Sequence, residues 1–402
     1  MAERAPARLR RLIAMAAVTD SEQSARTALV LSGGGARGAY QAGVLQGLVE
    51  IGCLAPERSN IGLLVGSSAG AINVGVLGAT ADRCAYGIER LAALWCGLSA
   101  EQVFRTDVYS LGSIGLRWVR DLTFGGIVGR VRGKALLDTA PLRRLIATHF
   151  PEGRIAENVA AGALRAVAVA ATDLYGGSGV LFVEGSSDLP LWTRSHWSIE
   201  RARLGIEHFM ASSAIPIFFP SVRIGGRHFG DGCIRNTAPL APAIQLGAER
   251  IIAIGVRGVP AQSVDDGRRR PSPTIAQVAG VLLDAVLLDA IESDIEHSAR
   301  VNTSVLRWGA GTNPDDFREV DILSLRPSTS IGAIAGELAD HIPMVVRYLL
   351  RGLGSDEATR ELASYLLFDA TFCTRLVELG RSDVHAGRAA IERFFAKPPR
   401  GR

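Results

Sequence analysis

Ile61-Gly62-Leu63-Leu64-Val65-Gly66-Ser67-Ser68-Ala69-Gly70 opens a run of 21 residues, to Ala81, without a charged side chain. Length alone would suit a membrane span. Composition does not: Gly62, Gly66, Ser67, Ser68, Gly70, Asn73, Gly75 and Gly78 interrupt the apolar character. A buried strand over Ile61–Val65, a tight turn and a helix of small residues over Ala69–Leu77 account for it better. The same unit stands just upstream. Thr27-Ala28-Leu29-Val30-Leu31 ends in Ser32 and three glycines, and Ala39–Ile51 then carries Val44, Leu45, Leu48 and Val49 at helical spacing. Two strand–turn–helix units in succession, followed by a helical pattern over Arg83–Leu98, predict an α/β fold with a parallel sheet covered on both faces.

Further along, the helical pattern resumes at Asp138–His149. Strand patterns occupy Leu164–Ala170 and Gly179–Val183, around the turn Tyr175-Gly176-Gly177-Ser178. Phe218–Gly230 holds two short strand-like pieces around Gly225-Gly226, Arg250–Val256 reads as another buried strand and Val320–Leu325 as the last. Ile275–Asn302 has the spacing of a long amphipathic helix, and residues 331–396 read as helices.

Composition narrows the function classes. The chain has 402 residues and a formal net charge of +4, so it lacks the basic excess of a nucleic-acid binder. Among 44 basic residues only Lys134 and Lys397 are lysines, and the arginines are spread along the chain. Clusters at Arg8, Arg10 and Arg11 and at Arg268, Arg269 and Arg270 suit a solvated surface, or weak attraction to an anionic membrane. The five cysteines, Cys53, Cys84, Cys96, Cys233 and Cys373, form no CxxC pair and suggest neither a disulfide scaffold nor a zinc site. A reducing, cytoplasmic setting fits them. Glycine is in excess, with 45 residues, and 12 of these fall between Gly33 and Gly78.

Three patterns carry chemistry. Gly66-Ser67-Ser68-Ala69-Gly70 matches G-x-S-x-G with Ser68 at its centre, between a strand and a helix as a nucleophile elbow requires. Gly33-Gly34-Gly35-Ala36-Arg37-Gly38 fits G-x-G-x-x-G and so admits a dinucleotide site. That site needs an acidic residue closing the second strand, where this chain has Gly66-Ser67-Ser68, and Glu50 lies inside the first helix. The other use of such a loop is an oxyanion hole built from consecutive N–H groups. Arg37 would then add charge for an oxyanion or a phosphate, or form a salt bridge that fixes the loop. A serine also needs a base. His297, His341 and His385 each fall in helical patterns. Asp231, in His228-Phe229-Gly230-Asp231-Gly232-Cys233, follows a strand-like run and is the strongest candidate, against the plain alternative of an Asp-Gly turn.

In this order the three patterns resemble the patatin-like phospholipase family. The resemblance implies a three-layer α/β/α sandwich with a mainly parallel sheet and a Ser–Asp dyad of Ser68 and Asp231. It gives Gly33, Gly34, Gly35, Arg37 and Gly38 the oxyanion role, Gly66 and Gly70 the elbow, and Gly232 and Cys233 the rest of the aspartate motif. Cys233 departs from the family's Asp-Gly-Gly or Asp-Gly-Ala. Lesser matches are Ala171-Thr172-Asp173-Leu174, Ala211-Ser212-Ser213-Ala214-Ile215-Pro216, Phe219-Pro220, Asn236 and Pro239.

The implied activity is serine hydrolysis of fatty-acyl esters of lipids, of phospholipase A or lysophospholipase type. It needs no cofactor or metal, takes a lipid or acyl-ester substrate, includes peripheral contact with a membrane surface and involves no nucleic acid. The competing functions are a Rossmann-type oxidoreductase using Gly33–Gly38 and an inactive binding protein on the same fold. The expected organisation is a flexible arm over 1–24, a catalytic domain over 25–330 and a helical C-terminal extension over 331–402. Within the domain, 100–135 is a lid or lipid-facing insert bearing Phe104, Trp118 and Phe124, with core packing an equal alternative for those rings. Residues 260–273 form a flexible loop.

Overall fold

The computed structural model describes residues 26–57, 60–105, 135–190, 192–194, 196–216, 218–236, 239–258, 272, 285, 290–308, 318–342, 347 and 357–397. The expected arm over 1–24, residues 106–134 of the expected insert with Trp118 and Phe124, and all of the 260–273 loop except residue 272 lie outside them.

The strands are β1 (Thr27–Leu31), β2 (Leu63–Ser67), β3 (Ala166–Asp173), β4 (Gly179–Gly185), β5 (Thr193–Arg194), β6 (Trp197–Arg201), β7 (Val222–Ile224), β8 (Arg227–Asp231), β9 (Arg250–Ile254) and β10 (Asp321–Leu325). The helices are α1 (Gly38–Glu50), α2 (Ala69–Ala79), α3 (Cys84–Cys96), α4 (Ala100–Val103), α5 (Ala140–His149), α6 (Arg154–Ala160), α7 (Ile206–Ser212), α8 (Ala241–Gln245), α9 (Ala290–Trp308), α10 (Ile331–Glu337), α11 (Glu357–Leu366), α12 (Ala370–Ala386) and α13 (Arg388–Ala396). The uncharged run at Ile61–Ala81 is β2, its turn and α2. Among the described residues no helix is long and apolar enough to cross a membrane.

The sheet runs β10-β9-β1-β2-β3-β4-β6-β5. The first five strands in that order are mutually parallel. β4 turns back against β3, joined by the expected Tyr175–Ser178 turn, in which Asp173 accepts the N–H groups of Tyr175 and Gly176. The β7–β8 hairpin at Gly225-Gly226 lays β8 antiparallel along the end of β3.

Successive strand residues point to opposite faces. Leu29, Leu31 and Leu64 join the core beneath α1 and α2, whereas Ala28, Val30, Leu63 and Val65 join a second core with Leu240, Ala243 and Ile291 of the α8–α9 side. Both faces are therefore covered, which is why these strands read as unbroken apolar runs. The three-layer α/β/α arrangement is the one expected. β5 and β6 were not foreseen: in Trp197–Arg201 only Ile199 is fully buried, so an edge strand carries no continuous apolar signal.

The C-terminal helices belong to the same core as α1, through Leu362, Phe372, Cys373 and Leu376. α1 and α12 cross with their backbones in contact. A β-carbon on Gly43 would collide with the Val377 carbonyl, and one on Gly380 with the Tyr40 carbonyl. Tyr40 closes the crossing by donating its hydroxyl to Asp383 Oδ2 at 3.0 Å. Gly43→Val is therefore expected to cost about 3 kcal/mol or more, because neither backbone can yield without separating the helices. Urea unfolding of the variant against wild type measures it.

Candidate active site

β2 ends at Ser67, and Ser68 takes φ 54°, ψ −124° before α2 begins at Ala69. It is the one non-glycine residue with positive φ among the described residues. Such strain persists only where the surroundings enforce it. Here the Ser68 N–H donates to Ser212 Oγ at 3.0 Å, Ser213 Oγ donates to the Ser68 carbonyl at 3.3 Å, and Asn236 Nδ2 donates to Ser67 Oγ at 2.9 Å. Gly66 and Gly70 serve the same turn. A β-carbon on Gly66 would strike the Gly70 carbonyl, and one on Gly70 would strike the Leu31 carbonyl at the end of β1.

β2 and β8 lie end to end along one edge of β3, with Ala170 opposite Ser67 and Ala171 opposite Asp231, while β4 takes the other edge. This register brings two side chains 163 positions apart together: Ser68 Oγ donates to Asp231 Oδ2 at 2.7 Å. Asp231 is completely buried. Its other oxygen accepts the Cys233 N–H at 2.9 Å, and its carbonyl accepts the Thr172 hydroxyl at 2.8 Å. Gly232 follows it against the Ala170 carbonyl, where no side chain fits. Burial pushes the Asp231 carboxyl up to about 6, against the lowering effect of the Cys233 N–H and the Ser68 hydroxyl. Burial also holds the Cys233 thiol well above the ordinary thiol range, reinforced by the Asp231 carboxylate and opposed by the Gly33 N–H.

The glycine loop lies alongside. The Gly33 α-carbon backs onto Cys233 Sγ and onto Ser68, whose Cβ lies 2.8 Å from where a Gly33 β-carbon would be. Gly34 faces Val256, Gly35 turns with φ 57°, and Gly38 opens α1 against Ala69 and Trp95. Arg37 resolves into the salt-bridge alternative. Its buried guanidinium donates to Ser364 Oγ at 2.6 Å, to the Glu361 carbonyl at 2.8 Å and to the Glu361 carboxylate, and stacks 4.3 Å from the Tyr365 ring centre.

A buried polar chain that the sequence reading missed underlies the loop. Trp95 Nε1 donates to Asn73 Oδ1 at 2.9 Å, and Asn73 Nδ2 donates to Gln41 Oε1 at 2.9 Å and to the Gly38 carbonyl at 3.1 Å. Gln41 Nε2 continues to the Ser32 carbonyl at 2.8 Å. A single Asn in an otherwise apolar helix was the available signal. Asn73→Ala strands two buried polar groups, and a loss of about 1–3 kcal/mol is expected in urea unfolding.

Ser68 opens onto an apolar cavity whose space, mouth included, is about 740 Å³. Ile72 and Val76 of α2, Trp95 of α3, Leu142 and Ile146 of α5, and Phe209 of α7 line it, and Gly35 and Ser68 border it too. Phe104 is part of the core, between the rings of Phe219 and Phe368.

Among the described residues no histidine bonds Ser68 or Asp231. His341 faces Asp369, and His385 faces Glu50. Glu50 is also paired with Arg381, away from any ribose role. No cluster of metal-binding type occurs among the described residues.

The patatin-like phospholipase family model matches residues 29–244. The chain belongs to that family. Membership in the patatin-like phospholipases carries lipid hydrolysis as the family's activity and lipids as its substrates. It also displaces the dinucleotide alternative for Gly33–Gly38, because the matched span includes that loop. Among solved structures the chain is similar to VipD from Legionella pneumophila, at 14% identity and a TM-score of 0.31, covering 88% of this chain and 67% of that one. It is also similar to the heterodimeric ExoU–SpcU complex from the type III secretion system of Pseudomonas aeruginosa, at 16% identity and a TM-score of 0.27, covering 84% and 65%. The chain thus spans about two thirds of the length of these proteins. No curated protein matches it.

Proposed function

We propose that the protein is a serine acyl hydrolase that cleaves fatty-acyl esters of lipids, in the manner of a phospholipase A or lysophospholipase, through a Ser68–Asp231 dyad. The observation that carries this is the 2.7 Å bond from Ser68 Oγ to the buried Asp231 carboxylate, made where Ser68 borders an apolar cavity. Asp231 accepts the Ser68 proton as Oγ attacks the ester carbonyl carbon. The oxyanion of the tetrahedral intermediate is held by N–H groups of the Gly33–Gly35 run, and Gly35 borders the cavity beside Ser68. Asp231 returns the proton to the departing alcohol, leaving an acyl-serine. Water then attacks the acyl carbon, gives its proton to Asp231, and releases the fatty acid as Ser68 Oγ recovers that proton. Burial helps Asp231, because a carboxylate near its ordinary value is a weak base.

In the same reading the acyl chain fills the cavity and the headgroup stays at its mouth, so the enzyme meets lipid at a membrane surface by peripheral contact. Residues 25–330 form the catalytic unit and 331–402 an extension, whose described helices pack onto it. The test is mass spectrometry of a mixed lipid extract after incubation with wild type and Ser68→Ala. Free fatty acid and a matching deacylated lipid are expected with wild type alone. Equal release by both proteins, or none by either, overturns the proposal.

The cavity gives a second expectation. Val76→Trp fills the space next to Ile72 and is expected to reduce hydrolysis of a palmitoyl ester about tenfold relative to a butyryl ester, since a methylene shut out of an apolar pocket forfeits about 1–3 kcal/mol of binding. Parallel assays on the two esters measure the ratio.

A further inference from the structure

The family match ends at residue 244, yet residues of α11 and the turn after it reach the glycine loop and the cavity. Glu361 and Ser364 of α11 hold the Arg37 guanidinium, which lies at the end of the glycine loop. Ser364 uses both capacities of its hydroxyl, accepting from Arg37 Nε and donating to the Glu361 carbonyl at 2.6 Å. The Tyr365 backbone carbonyl lies directly against the Gly35 α-carbon, so tightly that no β-carbon fits. Phe368 then turns into the cavity that Ser68 and Gly35 border and meets Phe104 edge-on, with ring centres 6.1 Å apart.

Arg37 is 1% exposed, so its charge is fixed by these partners rather than by water. A planar guanidinium gripped on two edges and stacked on a ring cannot swing, and the backbone that carries it is constrained with it. Oxyanion stabilisation depends on donors held within a few tenths of an ångström. The grip therefore acts on the loop geometry and not on substrate affinity.

We propose that the segment Glu361–Phe368 completes the active site, with Glu361 and Ser364 as positioning residues that set the glycine loop through Arg37 and Phe368 as the wall that selects the acyl chain. This rests on the serine hydrolase reading above. A grip that sets the loop acts on turnover, whereas a wall acts on chain choice.

The experiment uses the full chain. Ser364→Ala is expected to lower kcat on a butyryl ester about tenfold with KM unchanged, and to slow labelling of Ser68 by a fluorophosphonate in proportion. Ser364→Thr, which keeps the hydroxyl, is expected to restore both. Phe368→Ala is expected to shift preference toward longer or bulkier acyl chains, read as a rise of about tenfold in the ratio of kcat/KM on a palmitoyl ester to that on a butyryl ester. Circular dichroism melts identify a variant that fails to fold; in that case Glu361→Gln, which keeps the backbone acceptor and the side chain's shape, replaces Ser364→Ala, and Phe368→Leu replaces Phe368→Ala. Folded variants with wild-type kcat, labelling rate and chain preference overturn the proposal while leaving the dyad intact. A wild-type protein that takes no label at Ser68 removes the dyad reading and this proposal with it.

Discussion

Asp231→Asn is expected to lower turnover of an acyl ester by about a hundred- to ten-thousandfold, the range that loss of a positioned general base commands, and to do so without unfolding the protein. Asparagine keeps the geometry. Its oxygen can still accept the Cys233 N–H, and its amide can donate to Ser68 Oγ in place of the present bond. What it cannot do is take the Ser68 proton. The wild-type pH profile carries the same information. A base held at about 6 must be ionised to work, so kcat/KM falls about tenfold per pH unit below 6 and levels off above it. Stability moves the other way. The carboxyl titrates at about 6 when folded, against an ordinary value of 3.8, so the folded state holds its proton more tightly than the unfolded chain does. Stability from this group is therefore full below pH 4 and is lost as pH rises through 6, by about 3 kcal/mol on integration. Asp231→Asn relieves that loss. Its Tm is expected to equal or exceed the wild-type value at pH 8, with the gain vanishing near pH 4. A variant that keeps activity, or a flat profile through pH 6, contradicts the base role.

Ser68→Ala is expected to abolish fluorophosphonate labelling and to lower ester hydrolysis by at least about ten-thousandfold, since removing a nucleophile leaves only binding and oxyanion stabilisation. The variant keeps the Ser212 and Ser213 hydrogen bonds, which go to its backbone, so the turn is retained. Intact-mass analysis after labelling gives a direct answer: one adduct on wild type and none on the variant. An adduct on Ser67, one residue away on the Asn236 side, would instead identify the wrong serine of the pair.

Much of this arrangement was legible in the sequence, and the reason is local. Ser68 and Asp231 each sit in a short pattern whose glycines are dictated by immediate backbone contacts, so a few residues suffice to mark them. The lesser matches proved to be the supports: Ser212 and Ser213 hold Ser68, and Thr172 holds Asp231. What could not be read is non-local. The choice between charge for an oxyanion and a salt bridge for Arg37 was decided by Ser364, 327 positions away. The cavity is assembled from a few apolar residues on each of several helices, none of them unusual in its own segment. Glycine density between Gly33 and Gly78 was only partly a map of the site. Gly43 and Gly47 face α12, against Val377 and Val384, and Gly75 faces Phe209. Their spacing of four along α1 was the sign of a close helix crossing.

That crossing bears on how the protein comes into being. α1 is made before the helix that packs against it, and Arg37 is made 327 positions before the Ser364 that grips it. Domains generally fold as units, and a chain growing from its N-terminus cannot close contacts with residues not yet translated. A nascent chain extending through Asp231 already carries the serine and the aspartate, but the glycine loop still lacks its far-side partners. The glycine loop is thus set only once Ser364 has been made, so a chain stopped before α11 keeps Ser68 and Asp231 without the contacts that fix Arg37.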